Sequence, residues 1–314
     1  MSNINDKLNK LRQIKDELKN VLVKHNANPT DDFTTYPSVF DKVIEDNKSG
    51  AVYGFPEFWN IKTNNGTDGS YLYYRVSRPN TEGALNVNEY VDHFRNFTTA
   101  EYMFGYCFYQ NSEYKDYNII MQNADFSKVT SMSYMFDHCG YINGKNTVID
   151  ISGIKTTYKL KNMSYFCYYS DVKTLNITGI DTKYVTNMDC MFYQCDKLEE
   201  VIGEIDCSVV TNGLYPSSYA NPFSGCKALK RINLTNIYKG FQISNISRNS
   251  INLSQTILED DCLISIMNEL PTLPAGYTNI VLTLPPTNTL TDEQKQIAIN
   301  KNWTVVNSDV LQSI

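Results

Sequence analysis

The middle of the chain repeats itself, and that repeat restricts the fold more than any other feature. Asp125 to Cys139 reads DFSKVTSMSYMFDHC, and Asp181 to Cys195 reads DTKYVTNMDCMFYQC. Asp, Val, Thr, Met, Met, Phe and Cys recur at the same seven offsets, 56 positions apart (181 against 125). A unit this small cannot bury its own apolar face, so successive copies must stack and equivalent side chains must form columns through a shared interior.

Further copies fill the gaps. NMSYFCYYS places Met163, Phe166 and Cys167 where the others have Met, Met and Phe. An earlier copy aligns Phe97, Met103, Phe104 and Cys107 with Val129, Met135, Phe136 and Cys139, a shift of 32. A later copy keeps Asp206, Val210, Phe223 and Cys226 but carries an insertion around Leu214 to Ala220, expected to be a surface loop. Blocks of alternating aliphatic and β-branched residues follow: VIDISGI (148–154), TLNITGI (174–180), RINLTNI (231–237) and SINLSQTI (250–257). Each has the pattern of a short strand closed by Ser, Thr, Asn or Gly. One unit is therefore a strand plus a compact turn or short helix, spaced 25 to 32 residues apart, near the leucine-rich range. The expected interior columns hold Met103, Phe104, Cys107, Val129, Met132, Met135, Phe136, Cys139, Met163, Phe166, Val185, Met188, Met191, Phe192, Cys195, Phe223 and Cys226.

Composition narrows the function classes. The net charge is −6 with scattered Lys and Arg, so no basic stripe exists to meet a phosphate backbone and no nucleic-acid partner is expected. Aromatics reach 12% with 23 Tyr, which argues for packed structure and a tyrosine-rich surface. No signal-peptide-like or bilayer-spanning apolar run is present, so no membrane insertion is expected. The eight cysteines contain no CxxC pair, and the column Cys107, Cys139, Cys195 and Cys226 reads as small buried hydrophobes. His25, His93 and His138 lie far apart and outside any HExxH. GxSxG and phosphate-binding glycine loops are absent, and the pairs Glu199/Glu200 and Asp260/Asp261 read as a solvated loop and a helix first turn. The sequence thus predicts no catalytic residues, no metal site and no cofactor.

DFSKVTSMSYMFDHC resembles the repeat of the BspA-type leucine-rich family, over about residues 97–257. The resemblance implies an α+β, leucine-rich-repeat-like solenoid of short strands and short helices or turns. It implies no single function, since such proteins include bacterial surface adhesins, protist surface proteins and phage virion proteins. A short charged helix followed by FTTYPSVFDKV (33–43), and a closing segment of LSQTILEDDCLISIMNELP, NIVLTL and LTDEQKQIAINKNWTVVN, resemble the ends of phage particle proteins. At the N-terminus, Ile4, Leu8, Leu11, Ile14, Leu18, Val21 and Leu22 form the apolar stripe of an amphipathic helix, with His25 extending it. That helix is expected to attach the chain to other virion proteins or to copies of itself, or to dock on its own chain. At the C-terminus, Thr291 is placed to cap a helix with Gln294 in the capping box, Ile297 and Ala298 inward, and Trp303 leading into a last strand.

The expected organisation is an attachment segment (1–50), an entry cap or irregular first repeat (51–96), the repeats (97–257) and a C-terminal cap (258–314). Within 51–96, NNGT and DGS around Asn65 to Ser70 suggest a hairpin turn feeding a strand YLYYRV. The candidate binding surface is a pair of columns, Tyr102, Tyr134 and Tyr165 in one, and Tyr106, His138, Tyr169 and Gln194 in the other. Such tyrosines serve to stack on sugar rings, to anchor a protein partner, or to pack between repeats. The expectation is a non-enzymatic virion component, assembled in the host cytoplasm, an oligomer that touches a host-surface glycan or protein. A bacterial adhesin of the same repeat type and a fibre-borne polysaccharide-degrading enzyme are the alternatives.

Overall fold

The computed structural model describes residues 67–76, 84–109, 118–140, 147–211, 221–238, 250–276 and 280–308. All of these belong to one compact unit, Gly54–Ile314. The N-terminal stripe from Ile4 to Leu22 lies outside the described residues.

Six strands form one all-parallel sheet in strict chain order: β1 (Ala84–Asn86), β2 (Asn118–Ile120), β3 (Thr147–Asp150), β4 (Val172–Asn176), β5 (Glu200–Asp206) and β6 (Arg231–Thr235). Aliphatic residues meet in register along it, Leu85 with Ile119, Ile119 with Ile149, Ile149 with Leu175, and Leu175 with Val201. Four of these six strands are closed by the same device. Asn86, Asp150, Asn176 and Asp206 accept the backbone N–H two residues ahead at 2.8–3.1 Å, turning the chain off the sheet. The strand read at 250–257 shrinks to β7 (Ile251–Asn252) and pairs elsewhere, with β8 (Val281–Leu284) and then β9 (Thr304–Asn307) in a second parallel sheet. The stretch around Glu199/Glu200 is no loop: Glu200 opens β5, and Glu199 Oε2 accepts from Lys230 at 3.1 Å.

Parallel neighbours need a crossover, and here turns supply it, joined after β1 by the 3-10 helix Asn88–Asn96; both α-helices of the described residues lie in the C-terminal part. The turn block is built on alternate amides. The N–H groups of Tyr102, Phe104 and Tyr106 donate to the carbonyls of Ser133, Met135 and Asp137 in the next unit at 3.2, 2.8 and 2.6 Å. Those of Met103, Gly105 and Cys107 donate back three residues within their own unit at 3.3, 2.9 and 3.1 Å. Successive amides of the turn block thus find partners without an α-helix. YLYYRV is a copy of this block and not a strand: Tyr71, Tyr73 and Arg75 donate in the same way to Glu101, Met103 and Gly105.

Below the turns, every one of the interior positions named from the sequence is at most 3% exposed. Tyr73, Phe104 and Phe136 stack at ring-centroid distances of 5.0 and 5.3 Å. The degenerate unit puts Cys167 in this column, and Phe166 beside it meets Phe136 edge-on at 5.2 Å, restoring the lost volume. The cysteine column has a bonding role as well as a packing one. The thiols of Cys107, Cys139, Cys195 and Cys226 donate to the carbonyls of Tyr73, Phe104, Cys167 and Phe192, each in the preceding unit. In the degenerate unit Ser170 stands in that column, and its hydroxyl donates to Phe136.

The C-terminal part packs α1 (Asp260–Glu269) on β6, with Cys262, Leu263, Ile266 and Met267 inward. Helix α2 (Asp292–Ile299) has the capping box of Thr291 and Gln294; Ala298 is buried and Ile297 half-buried. Lys301 Nζ donates to the Met267, Asn268 and Leu270 carbonyls at the end of α1, where a cation also meets the helix dipole. The Trp303 indole N–H donates to the Pro271 carbonyl at 2.9 Å.

Because Ser170 already does the work of the column thiol, Cys139→Ser is expected to keep the urea midpoint near that of the parent. Cys139→Ala is expected to lower stability by about 1–3 kcal/mol, since the inter-unit donor is gone. Equal losses in the two variants would show that the thiol supplies bulk alone.

Candidate functional site

The turn blocks carry two outward columns set by backbone conformation. Tyr71, Tyr102, Tyr134, Tyr165 and Cys190 all have φ between 52° and 60°. So do Arg75, Tyr106, His138, Tyr169 and Gln194 four residues later, and Gly225 takes the next place at 79°. Left-handed backbone costs roughly 1–2 kcal/mol at a non-glycine residue, and only the surrounding structure can hold it there. Here the inter-unit hydrogen bonds hold it, and the strained residues aim their side chains along common lines.

In the first column the rings lie almost parallel. Centroids are 5.0 Å apart for Tyr71 and Tyr102, 4.6 Å for Tyr102 and Tyr134, and 4.5 Å for Tyr134 and Tyr165, with interplanar angles of 6°, 5° and 2°. In the second, His138 is sandwiched between Tyr106 at 4.7 Å and Tyr169 at 5.2 Å. The structure therefore brings the predicted tyrosines and His138 onto one face. Gln194 folds over Gly225, where an added Cβ would meet its side chain at 2.7 Å.

Sequence reading missed the residues between the columns. Tyr74 packs edge-on against Tyr71, Tyr102 and Tyr106 at 5.2, 6.4 and 5.5 Å. Tyr168 does the same to Tyr134, Tyr165 and His138 and stacks on Tyr193 at 5.4 Å. The signal for Tyr71, Tyr74 and Arg75 was present, since YLYYR repeats YMFGY at an offset of 31 (102 against 71). The Arg75 guanidinium sits 5.4 Å from the Tyr74 ring centre and 5.6 Å from that of Tyr106.

This geometry alters what the face can recognise. Tyr102 and Tyr134 have both ring faces covered by neighbours, so within the column no sugar or base can stack on them. What they offer is ring edge, which is electropositive, and hydroxyl. Burial, helped by neighbouring charge, pushes the phenols of Tyr102 and Tyr168 up to about 12, and raises those of Tyr106, Tyr134 and Tyr165. They are neutral donors and acceptors at physiological pH. Beneath them Asp137 is only 4% exposed and bonds His138 Nδ1 at 2.6 Å.

Among the described residues no cluster of His, Cys, Asp and Glu is arranged to hold a metal ion. The thiols of Cys139, Cys167, Cys195, Cys207 and Cys226 are fully buried, and desolvation raises each, which suits packing and not nucleophilic attack. A small apolar cavity near Met188, Ile205 and Leu234 lies in the interior, away from the tyrosines. No helix among the described residues is long and apolar enough to cross a membrane.

Comparison with known families identifies the repeat. The family model described as Mycoplasma protein of unknown function, DUF285, matches residues 75–167 and again 159–250, together more than half of the chain. The chain belongs to this family. The match supports a BspA-type repeat protein, and its first copy takes in Arg75, Tyr102, Tyr106, Tyr134, His138 and Tyr165 of the columns. No curated protein and no solved structure matches.

One electrostatic consequence of the DUF285 face is measurable. Burial raises the Asp137 carboxyl, against the lowering effect of its bond to His138. Between the unfolded and the raised value the folded chain holds a proton that the unfolded chain has released. The buried charge therefore costs stability at neutral pH, and the cost fades as pH falls through the raised value. Asp137→Asn is expected to melt a few degrees above the parent at about pH 7.5, with the gap narrowing as pH falls towards the ordinary range of a free carboxyl. A lower Tm for the variant across that range would show that the carboxylate is held as a net stabilising ion pair with His138.

Proposed function

We propose that this DUF285 chain is a non-enzymatic binding protein: a leucine-rich-type solenoid whose tyrosine and histidine columns make its contacts, carried as a structural component of a bacteriophage virion. The observation that supports a binding role most directly is the run of Tyr71, Tyr102, Tyr134 and Tyr165, stacked at 4.5–5.0 Å on a face that reaches solvent. Pre-ordered tyrosines lose little side-chain entropy when a ligand arrives, and their hydroxyls supply directional bonds. Since the inner ring faces are occupied, the ligand reads edges and hydroxyls in a row; a polyhydroxylated host-surface glycan or a polar protein surface meets that demand.

The virion setting rests on the similarity of both ends of the sequence to phage particle proteins. In this reading the N-terminal stripe joins the chain to other virion proteins and to copies of itself. A second reading, a bacterial surface adhesin, is favoured by the family description, which names Mycoplasma. Antibody against the chain is expected to label purified phage particles. Label confined to the envelope of the encoding cell would replace the virion reading with the adhesin.

Two substitutions address the parts separately. Tyr134→Ala combined with Tyr165→Ala is expected to weaken binding of the labelled protein to host cells about tenfold or more, in line with the loss of central aromatic anchors. Unchanged binding by a folded double variant would remove the columns from recognition. Leu11→Asp with Leu18→Asp is expected to reduce the particle mass measured in solution by light scattering; an unchanged mass would remove the stripe from self-association.

A further inference from the structure

The same column has a chemical property that recognition does not use. Four phenols lie in sequence with ring planes within 6° of parallel and centroids no more than 5.0 Å apart. We propose that this column is a site of oxidative tyrosine coupling, in which a dityrosine bond between adjacent rungs covalently staples the stack.

The coupling needs a one-electron oxidant of the haem-peroxidase class with hydrogen peroxide. Each of two phenols gives up one electron and its O–H proton, leaving two phenoxyl radicals. The radicals join by a new carbon–carbon bond between ring positions ortho to oxygen. The two ring hydrogens displaced at that bond move to the oxygens and restore both phenols. Two protons and two electrons leave in all, and one hydrogen peroxide accepts them to become two waters.

Proximity decides whether such radicals meet. Coupling of free phenoxyls is bimolecular, whereas here the partner ring is already in place and oriented, which raises its effective concentration by orders of magnitude. The stack also lets oxidation at the most exposed ring, Tyr71 at 52%, pass inward from rung to rung. Covalent reinforcement through sulfur has no counterpart here, because all eight cysteines are free and buried. A Tyr134–Tyr165 bond would close a loop of 31 residues (165 against 134), the same kind of constraint that a disulfide applies.

The molecule contains its own control. Tyr158 and Tyr184 are 63% and 37% exposed and lie close to each other, yet their rings cross at 81° with centroids 6.4 Å apart. The test treats the purified full chain, at dilution, with peroxidase and hydrogen peroxide, then reads dityrosine fluorescence on the monomer fraction and maps the links by peptide mass spectrometry. The expected result is intramolecular coupling within Tyr71, Tyr102, Tyr134 and Tyr165, with Tm raised by on the order of 5–10 °C. Tyr134→Phe keeps the ring and removes the O–H; it is expected to abolish coupling at both of its junctions, leaving Tyr71–Tyr102 and at least halving the yield. Links found mainly at Tyr158–Tyr184, links only between molecules, or oxidation of Tyr71 without coupling would each overturn the proposal.

Discussion

The alternation of amides in the turn block is the constraint from which the rest follows. One N–H closes a turn inside its own unit and the next reaches the carbonyl of the following unit, as in the run from Tyr102 to Cys107. A parallel sheet normally depends on helices for its crossovers, because a helix satisfies its own backbone. Here the crossovers are themselves laddered, so the amides of a short turn block find partners without an α-helix. The shared register then places chemically equivalent side chains above one another in every column, inside and outside alike.

That register explains why unlike residues are tolerated in one column. Ser170 fits among cysteines because the bond made there is an inter-unit donor to a carbonyl, which thiol and hydroxyl both supply. Phe166 and Cys167 exchange size between neighbouring positions, and the core stays filled. On the outside, the left-handed residues are held by neighbours and not by their own preference, so Tyr, His, Arg and Gln occupy places where glycine would be the unstrained choice.

The interior of this fold was readable from the sequence because burial imposes a period: Met132, Met135, Phe136 and Cys139 recur at fixed offsets, and each is buried. The capping box at Thr291 was readable for a similar reason, since its chemistry is local. What escaped was non-local or conformational. Nothing in SINLSQTI says that Ile251 pairs with Leu282 rather than with β6, because strand partners are chosen by the whole stack. YLYYRV looks like a strand by composition, and only the positive φ values at Tyr71 and Arg75 reveal a turn. Of the candidate face, the columns were visible in the alignment, but the bridging rings Tyr74 and Tyr168 and the buried Asp137 were not. They sit at positions where the repeat changes residue type from unit to unit, so periodicity is silent about them.

The covered ring faces of the tyrosine column carry a last implication. A side chain that can be approached only from its rim behaves as a mark on a ruler, and the spacing of the marks is imposed by the sheet rather than by the rings. Gaining or losing a unit would lengthen or shorten the ruler without altering its graduation. Under the proposed binding role, a change of repeat number alone would set the length of ligand spanned, leaving the chemistry of each mark as it was.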